Sequence, residues 1–99
     1  MKKKPVHFKF RLYVVGNAPN SKKALVNLRA LCEEHLPGRH EIEIIDVVHE
    51  PKRALTDGVM MTPLLVRVSP GPVCRIVGNL AHREPILATL GLPANPAPE

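Results

Sequence analysis

The sequence predicts an α/β domain with elements in the order β-α-β-α-β-β-α, and three observations carry that prediction. Residues 8–15 alternate as a strand does, residues 24–36 repeat apolar side chains at helical spacing, and a second β-rich run begins at Glu41. A strand, a helix and a strand within about forty residues make a βαβ unit, whose two strands run parallel.

The first strand is FKFRLYVV at 8–15, with Phe8, Phe10, Leu12 and Val14 on one face and Lys9, Arg11, Tyr13 and Val15 on the other. Gly16-Asn17-Ala18-Pro19-Asn20 breaks it, and Asn20 or Ser21 is suited to cap the helix that follows. Ala24, Leu25, Leu28, Leu31, Cys32 and Leu36 give that helix one apolar face, and Pro37-Gly38 ends it. The second strand is expected at about Glu41–Val48, with Ile44-Ile45 and Val47-Val48 suggesting cover on both faces. Pro51 opens a short helix to about Leu55, stopped by Asp57-Gly58.

In the second half, Leu64–Val68 and Val73–Val77 flank the turn-forming Ser69-Pro70-Gly71-Pro72, which predicts an antiparallel hairpin. Glu84–Leu90 reads as a final short helix in which Pro85 fits only the first turn, so the helix begins near His82–Glu84. The resulting order is that of the thioredoxin-like fold. A proline just before the third strand is often cis in that fold, and Pro63 of Met61-Thr62-Pro63 stands there.

Ninety-nine residues, 44% of them hydrophobic, make one domain (8–92) that gains from oligomerisation or a partner. No apolar run approaches the roughly 20 residues of a membrane span, and no signal-peptide h-region follows Met-Lys-Lys-Lys-Pro, so a cytoplasmic location is expected. Five of the fourteen Lys and Arg precede Leu12 (Lys2, Lys3, Lys4, Lys9, Arg11), and these concentrate the net charge of +5 near a flexible basic arm at 1–7. Such an arm can touch nucleic acid, but Phe8, Phe10 and Tyr13 are the only aromatics, too few for a stacking platform. The Pro-rich tail PANPAPE at 93–99 is expected to be disordered.

No catalytic, cofactor or metal site is expected. A thioredoxin-type redox centre needs a thiolate at the strand–helix turn and a second cysteine close by, and Gly16–Ser21 contains no sulfur. Cys32 on the apolar helix face and Cys74 in the fourth strand read as buried structural thiols. His7, His35, His40, His49 and His82 are scattered without ligand spacing and read as surface residues. Glu41, Glu43 and Asp46 read as a solvated strand face. Arg67, Arg75 and Arg83 remain candidates for recognition, since the arginine fork binds carboxylates bidentately.

Four segments then stand out together: RLYVVGNAPNS at 11–21, EIEIIDVVHEP at 41–51, MTPLLVRVSPGP at 61–72 and RIVGNL at 75–80. In this order they resemble the KaiB family of clock proteins, and the likeness runs without a gap from about Phe10 to Leu92. The resemblance implies a non-enzymatic protein that binds the hexameric ATPase KaiC, sequesters KaiA and affects sensor histidine kinases of the SasA and CikA type. It also implies a homo-oligomer, tetramer or dimer, when free. In a tetrameric ground state the C-terminal half would fold differently, and the thioredoxin-like monomer would bind KaiC. The partner-binding positions it implies are Gly58, Met61, Thr62, Pro63 and Arg75, and the fold-switch positions are Gly78, Asn79, Thr89 and Gly91.

The chain departs from the family pattern at several of these positions. Gly78-Asn79-Leu80-Ala81 stands where the family often has Gly-Asp-Leu-Ser, Thr89-Leu90-Gly91-Leu92 where it often has Gly-Leu-Asp-Leu, and Gly58 where a lysine is common. Glu41 and Glu43 replace basic or neutral residues. Two alternatives stand beside KaiC regulation: an orphan KaiB-like stress or signalling regulator acting on a kinase without a rhythmic clock, and nucleic-acid binding through the basic arm.

Overall fold

The computed structural model describes residues 6–92. The expected arm, apart from Val6 and His7, and the expected tail at 93–99 lie outside these residues. Strands β1 (Phe8–Val14), β2 (His40–Asp46), β3 (Leu64–Ser69) and β4 (Cys74–Val77) and helices α1 (Pro19–His35), α2 (Pro51–Thr56) and α3 (Arg83–Leu90) follow the expected order. The strands form one sheet in the order β2-β1-β3-β4. β1 pairs parallel with β2 and antiparallel with β3, and β3 pairs antiparallel with β4. The Thr62-Pro63 bond is cis, as are Ser69-Pro70 and Gly71-Pro72.

The alternation of β1 divides the core. Phe8, Phe10, Leu12 and Val14 face Ala24, Leu28, Leu31 and Cys32 of α1 and Ile86, Leu87 and Leu90 of α3. On the opposite face Tyr13 joins Ile45, Leu64 and Val66. Burying one such aliphatic side chain contributes about 1.5–3 kcal/mol.

Four expectations are corrected. α1 begins at Pro19 with Ala18 in the capping position and no side-chain cap; Ser21 is instead buried, its Oγ accepting the Val15 N–H at 3.1 Å. β2 ends at Asp46 rather than Val48, because the Asp46 carboxylate accepts the Gly16 and Val48 N–H groups and turns the chain. β2 is an edge strand with Ile44 exposed, so it is not covered on both faces. His35 is not a surface residue: it lies 2% exposed on the inner side of α1.

Glu43 is more than part of a solvated face. It accepts both Nη groups of Arg53 at 2.8 Å and the Nε of Arg11 at 3.2 Å, tying α2 to β1 and β2. The hydrogen bonds from Arg53 hold the Glu43 carboxyl below its ordinary range. A depressed carboxylate stabilises the fold above the unfolded pKa of about 4.3 and stops doing so as pH falls through its lower folded value. Because the pair is partly exposed, the contribution is modest. Glu43→Gln should therefore flatten the acid limb of a stability-against-pH curve measured by urea unfolding. Parallel curves for the two proteins between about pH 4.3 and the lower folded value would contradict the linkage.

Candidate protein-binding surface

The expected partner-binding residues come from two chain segments that the sheet brings together. Asp57 closes α2, and Gly58 follows with φ +69°, a left-handed conformation that favours glycine. The chain then passes Val59, Met60, Met61 and Thr62 to Pro63, at the head of β3. β4 lies alongside, with Val66 opposite Arg75 and Leu64 opposite Val77.

Two groups, the buried Tyr13 and the exposed Arg75, hold this loop in place. The Tyr13 hydroxyl, 2% exposed on β1, donates to the Asp57 carboxylate at 2.5 Å. Burial, and then the carboxylate beside it, push the Tyr13 phenol above its ordinary pKa. From β4, Arg75 Nη2 donates to the Asp57 carbonyl at 2.8 Å, and Nη1 lies 3.4 Å from the Gly58 carbonyl. At the other end of the loop the Gly78 N–H donates to the Pro63 carbonyl at 2.9 Å.

Gly58, Met60, Met61, Leu64, Arg75 and Val77 line one shallow depression of about 190 Å³. Met60 is 92% exposed, Met61 64% and Val77 51%, with Leu55 of α2 beyond them at 83%. Flexible, polarizable methionines in the open are suited to an adaptable apolar contact. Gly58, Met61 and Arg75 thus meet at one place. Thr62 and Pro63 support the loop from below: Pro63 is buried and Thr62 half-buried. Met60 lies within the Gly58–Pro63 loop expected to carry the surface, whereas Val77, Tyr13 and Asp57 were not expected in it. Met60 carried a signal as the neighbour of Met61, whereas the Tyr13–Asp57 bond spans 44 residues and left none.

The four fold-switch positions lie around α3. Gly78, at φ +124°, and Asn79 precede Leu80, which is buried at φ +64°. A leucine in that region costs about 1–2 kcal/mol. Asn79 spans the turn, its Oδ1 accepting the Ala81 N–H at 3.1 Å and its carbonyl accepting Asn27 Nδ2 of α1 at 2.8 Å. At the other end Thr89 Oγ1 donates to the Pro85 carbonyl at 2.8 Å, Gly91 closes α3 at φ +74°, and the Leu92 N–H returns to Leu87 at 2.8 Å.

Arg67 and Arg83, the other two candidates for recognition, are engaged within the chain. Arg67 donates to the carbonyls of Leu90 and Pro72, and Arg83 pairs with Glu34 at 2.5 Å. At the turn where a redox enzyme would hold its thiolate, a depression of about 370 Å³ is lined by Gly16, Asn17, Ser21, Lys22, Asp46 and Glu50 among others, without sulfur. Cys32 is 1% exposed, and burial pushes its thiol up to about 12. Cys74 is half-buried rather than buried, with Sγ 3.8 Å from the Thr89 carbonyl. Only a thiolate attacks an alkylating agent, so Cys74 should be labelled long before Cys32 at about pH 8. Peptide mass spectrometry reads the order, and equal labelling of the folded protein would contradict it. Among the described residues no group of three or more His, Cys, Asp or Glu could hold a metal, and no helix is long and apolar enough to cross a membrane.

The family model described as the KaiB domain matches residues 11–92. The chain belongs to the KaiB family. It is 43% identical over 82 residues to the circadian clock oscillator protein KaiB of Prochlorococcus marinus (strain MIT 9312), covering 83% of this chain and 78% of that protein. The KaiB family comprises clock regulatory proteins. Among solved structures, chloroplastic thioredoxin z is similar with a TM-score of 0.64 at 19% identity, over 73% of this chain and 66% of that one. The N-terminal domain of SasA from Synechococcus elongatus is similar with a TM-score of 0.59 at 22% identity, over 81% and 76%. At these identities the likeness is one of fold, and the fold of this KaiB-family chain is thioredoxin-like.

Proposed function

We propose that this KaiB-family chain is a non-enzymatic cytoplasmic regulator, with residues 8–92 as its binding domain. It binds a KaiC-type hexameric ATPase and modulates that enzyme's phosphorylation cycle and output signalling. The observation that carries the reading is the convergence of Gly58, Met61 and Arg75 on one exposed apolar depression. The fold shared with the SasA N-terminal domain supports a clock-related role, in which KaiA or sensor kinases of the SasA or CikA type are further partners. The test is a time course of the phosphorylated fraction of a KaiC-type hexamer from the same genome, with ATP, with and without this protein. A changed course is expected, and superimposable courses would refute the regulatory role.

The free protein is proposed to be a homo-oligomer that exchanges with a second packing of residues after about Val48. The β1–α1–β2 unit is locally consistent in pattern and breakers, which favours one structure there. The segment after it carries the strained Leu80, and no side chain caps α3. Two packings coexist when they differ by only a few kcal/mol. Amide spectra of the free protein should show two sets of peaks for residues 50–92, with proportions that change on dilution. One unchanging set would exclude exchange.

A further inference from the structure

We propose that β4 is a strand-addition edge: an extended segment of the partner protein pairs with its outer side, an acidic residue opposite Arg75 and apolar residues opposite Ile76 and Val77. This rests on the reading of the chain as a protein-binding module and specifies how the partner is held.

The backbone geometry gives the outer side of β4 its polar groups. β4 is the terminal strand of the sheet. Gly78 donates inward to Pro63, and residues along an antiparallel strand alternate in the direction of their N–H and C=O groups. Ile76 and Cys74 therefore turn toward β3, where they stand opposite Leu65 and Arg67, while Arg75 and Val77 present their N–H and C=O groups outward. An unpaired edge of this kind is a template for another strand.

The side chains supply specificity, because the strand has an apolar depression on each face. On one side lie Met60, Met61 and Leu64 with Arg75 and Val77; on the other, Ile76, Leu80, Pro85 and Ile86 line a second depression of about 190 Å³. An added strand sends alternate residues to opposite faces, so successive residues would enter the two depressions in turn.

Charge fixes the kind of occupant. Among the described residues Arg67 and Arg75, the two guanidinium groups on this hairpin, donate only to backbone carbonyls and form no ion pair. Opposite charges directly across a strand pair stabilise it. β4 itself reads Cys-Arg-Ile-Val, so a second copy laid on this edge would bring no carboxylate to Arg75. The other edge differs: on β2, Glu41 and Glu43 are already paired with Lys9, Arg11 and Arg53.

Residue-resolved amide exchange on the full chain, free and saturated with a KaiC-type hexamer from the same genome and ATP, tests the proposal. In the complex, exchange at Arg75 and Val77 should slow by at least about tenfold, with smaller changes at Cys74 and Ile76, whose amides already face β3. A complex in which Arg75 and Val77 exchange as in the free protein overturns strand addition and leaves the protein-binding reading standing. Failure to form any complex overturns both. Protection of these two amides that grows with protein concentration in the absence of the hexamer assigns the edge to a second copy and overturns the proposed occupant.

Discussion

The Arg75→Glu variant should bind a KaiC-type hexamer at least tenfold more weakly than the parent chain, a loss of about 1.4 kcal/mol or more. Arg75 serves the surface in two ways. It donates to the carbonyls of Asp57 and Gly58, which fixes the start of the Gly58–Pro63 loop, and it has no carboxylate partner within the described residues. A glutamate can make neither carbonyl bond and would repel the acidic group that the free charge is suited to meet. Arg75→Lys keeps the charge and loses the planar fork, so its affinity should fall between the two. Thermal midpoints measured in parallel separate lost recognition from lost folding. Unchanged affinity in a folded Arg75→Glu protein would place the interface elsewhere.

The second large effect is on stability. Leu65→Ala should destabilise the domain by about 2–5 kcal/mol, the range for large-to-small changes in a packed core. Leu65 is fully buried in the middle of β3, between Leu12 on β1 and Ile76 on β4, and belongs to the cluster beneath α1 and α3. Those helices cannot close over the vacancy without leaving the sheet. With a total stability of about 5–15 kcal/mol for a natural domain, such a loss takes up much of the margin. Leu55→Ala is the control. Leu55 is mostly exposed on α2, and its removal should change stability by no more than about 0.5 kcal/mol. Urea unfolding of the two variants reads both numbers, and a loss below about 1 kcal/mol for Leu65→Ala would contradict this view of the core.

The β1–α1–β2 unit was legible because each of its signals is local. The alternation of FKFRLYVV, the three- and four-residue spacing from Ala24 to Leu36, and the Pro37-Gly38 stop all act within one or two turns of chain. Where the reading failed, a partner outside the element itself decided, six residues away for Ser21 and thirty for Asp46. Ser21 looked like a cap but is taken by the Val15 amide, and the turn at Asp46 depends on Gly16. A run such as Ile44-Ile45 suits a covered strand and an edge strand alike, so periodicity could not say that β2 is an edge. His35 could have been found: it follows Leu28, Leu31 and Cys32 at helical spacing, and its polarity obscured its place on the inner face.

The candidate surface was legible mainly through the family likeness, with Arg75 marked independently by its guanidinium chemistry. No periodicity brings Gly58 beside Arg75; the β3–β4 pairing sets Arg75 opposite Val66, and its side chain reaches the Asp57 and Gly58 carbonyls of the loop before β3. The methionines lie in no regular element, so their exposure had no pattern to betray it. Likewise the support from Tyr13 through Asp57 is a tertiary contact between β1 and the end of α2, and it carries no sequence signature.

Binding to a KaiC-type hexamer is the central claim, and size-exclusion co-elution tests it most directly. The full chain would be mixed with the purified hexamer from the same genome, with and without ATP, at protomer concentrations of about 10–100 μM, enough to reveal a micromolar complex. The account predicts that this protein moves into the hexamer peak in at least one nucleotide state, and that a smaller fraction of Arg75→Glu does so at the low end of that range. Elution of the wild-type chain at its own position in every nucleotide state would contradict it.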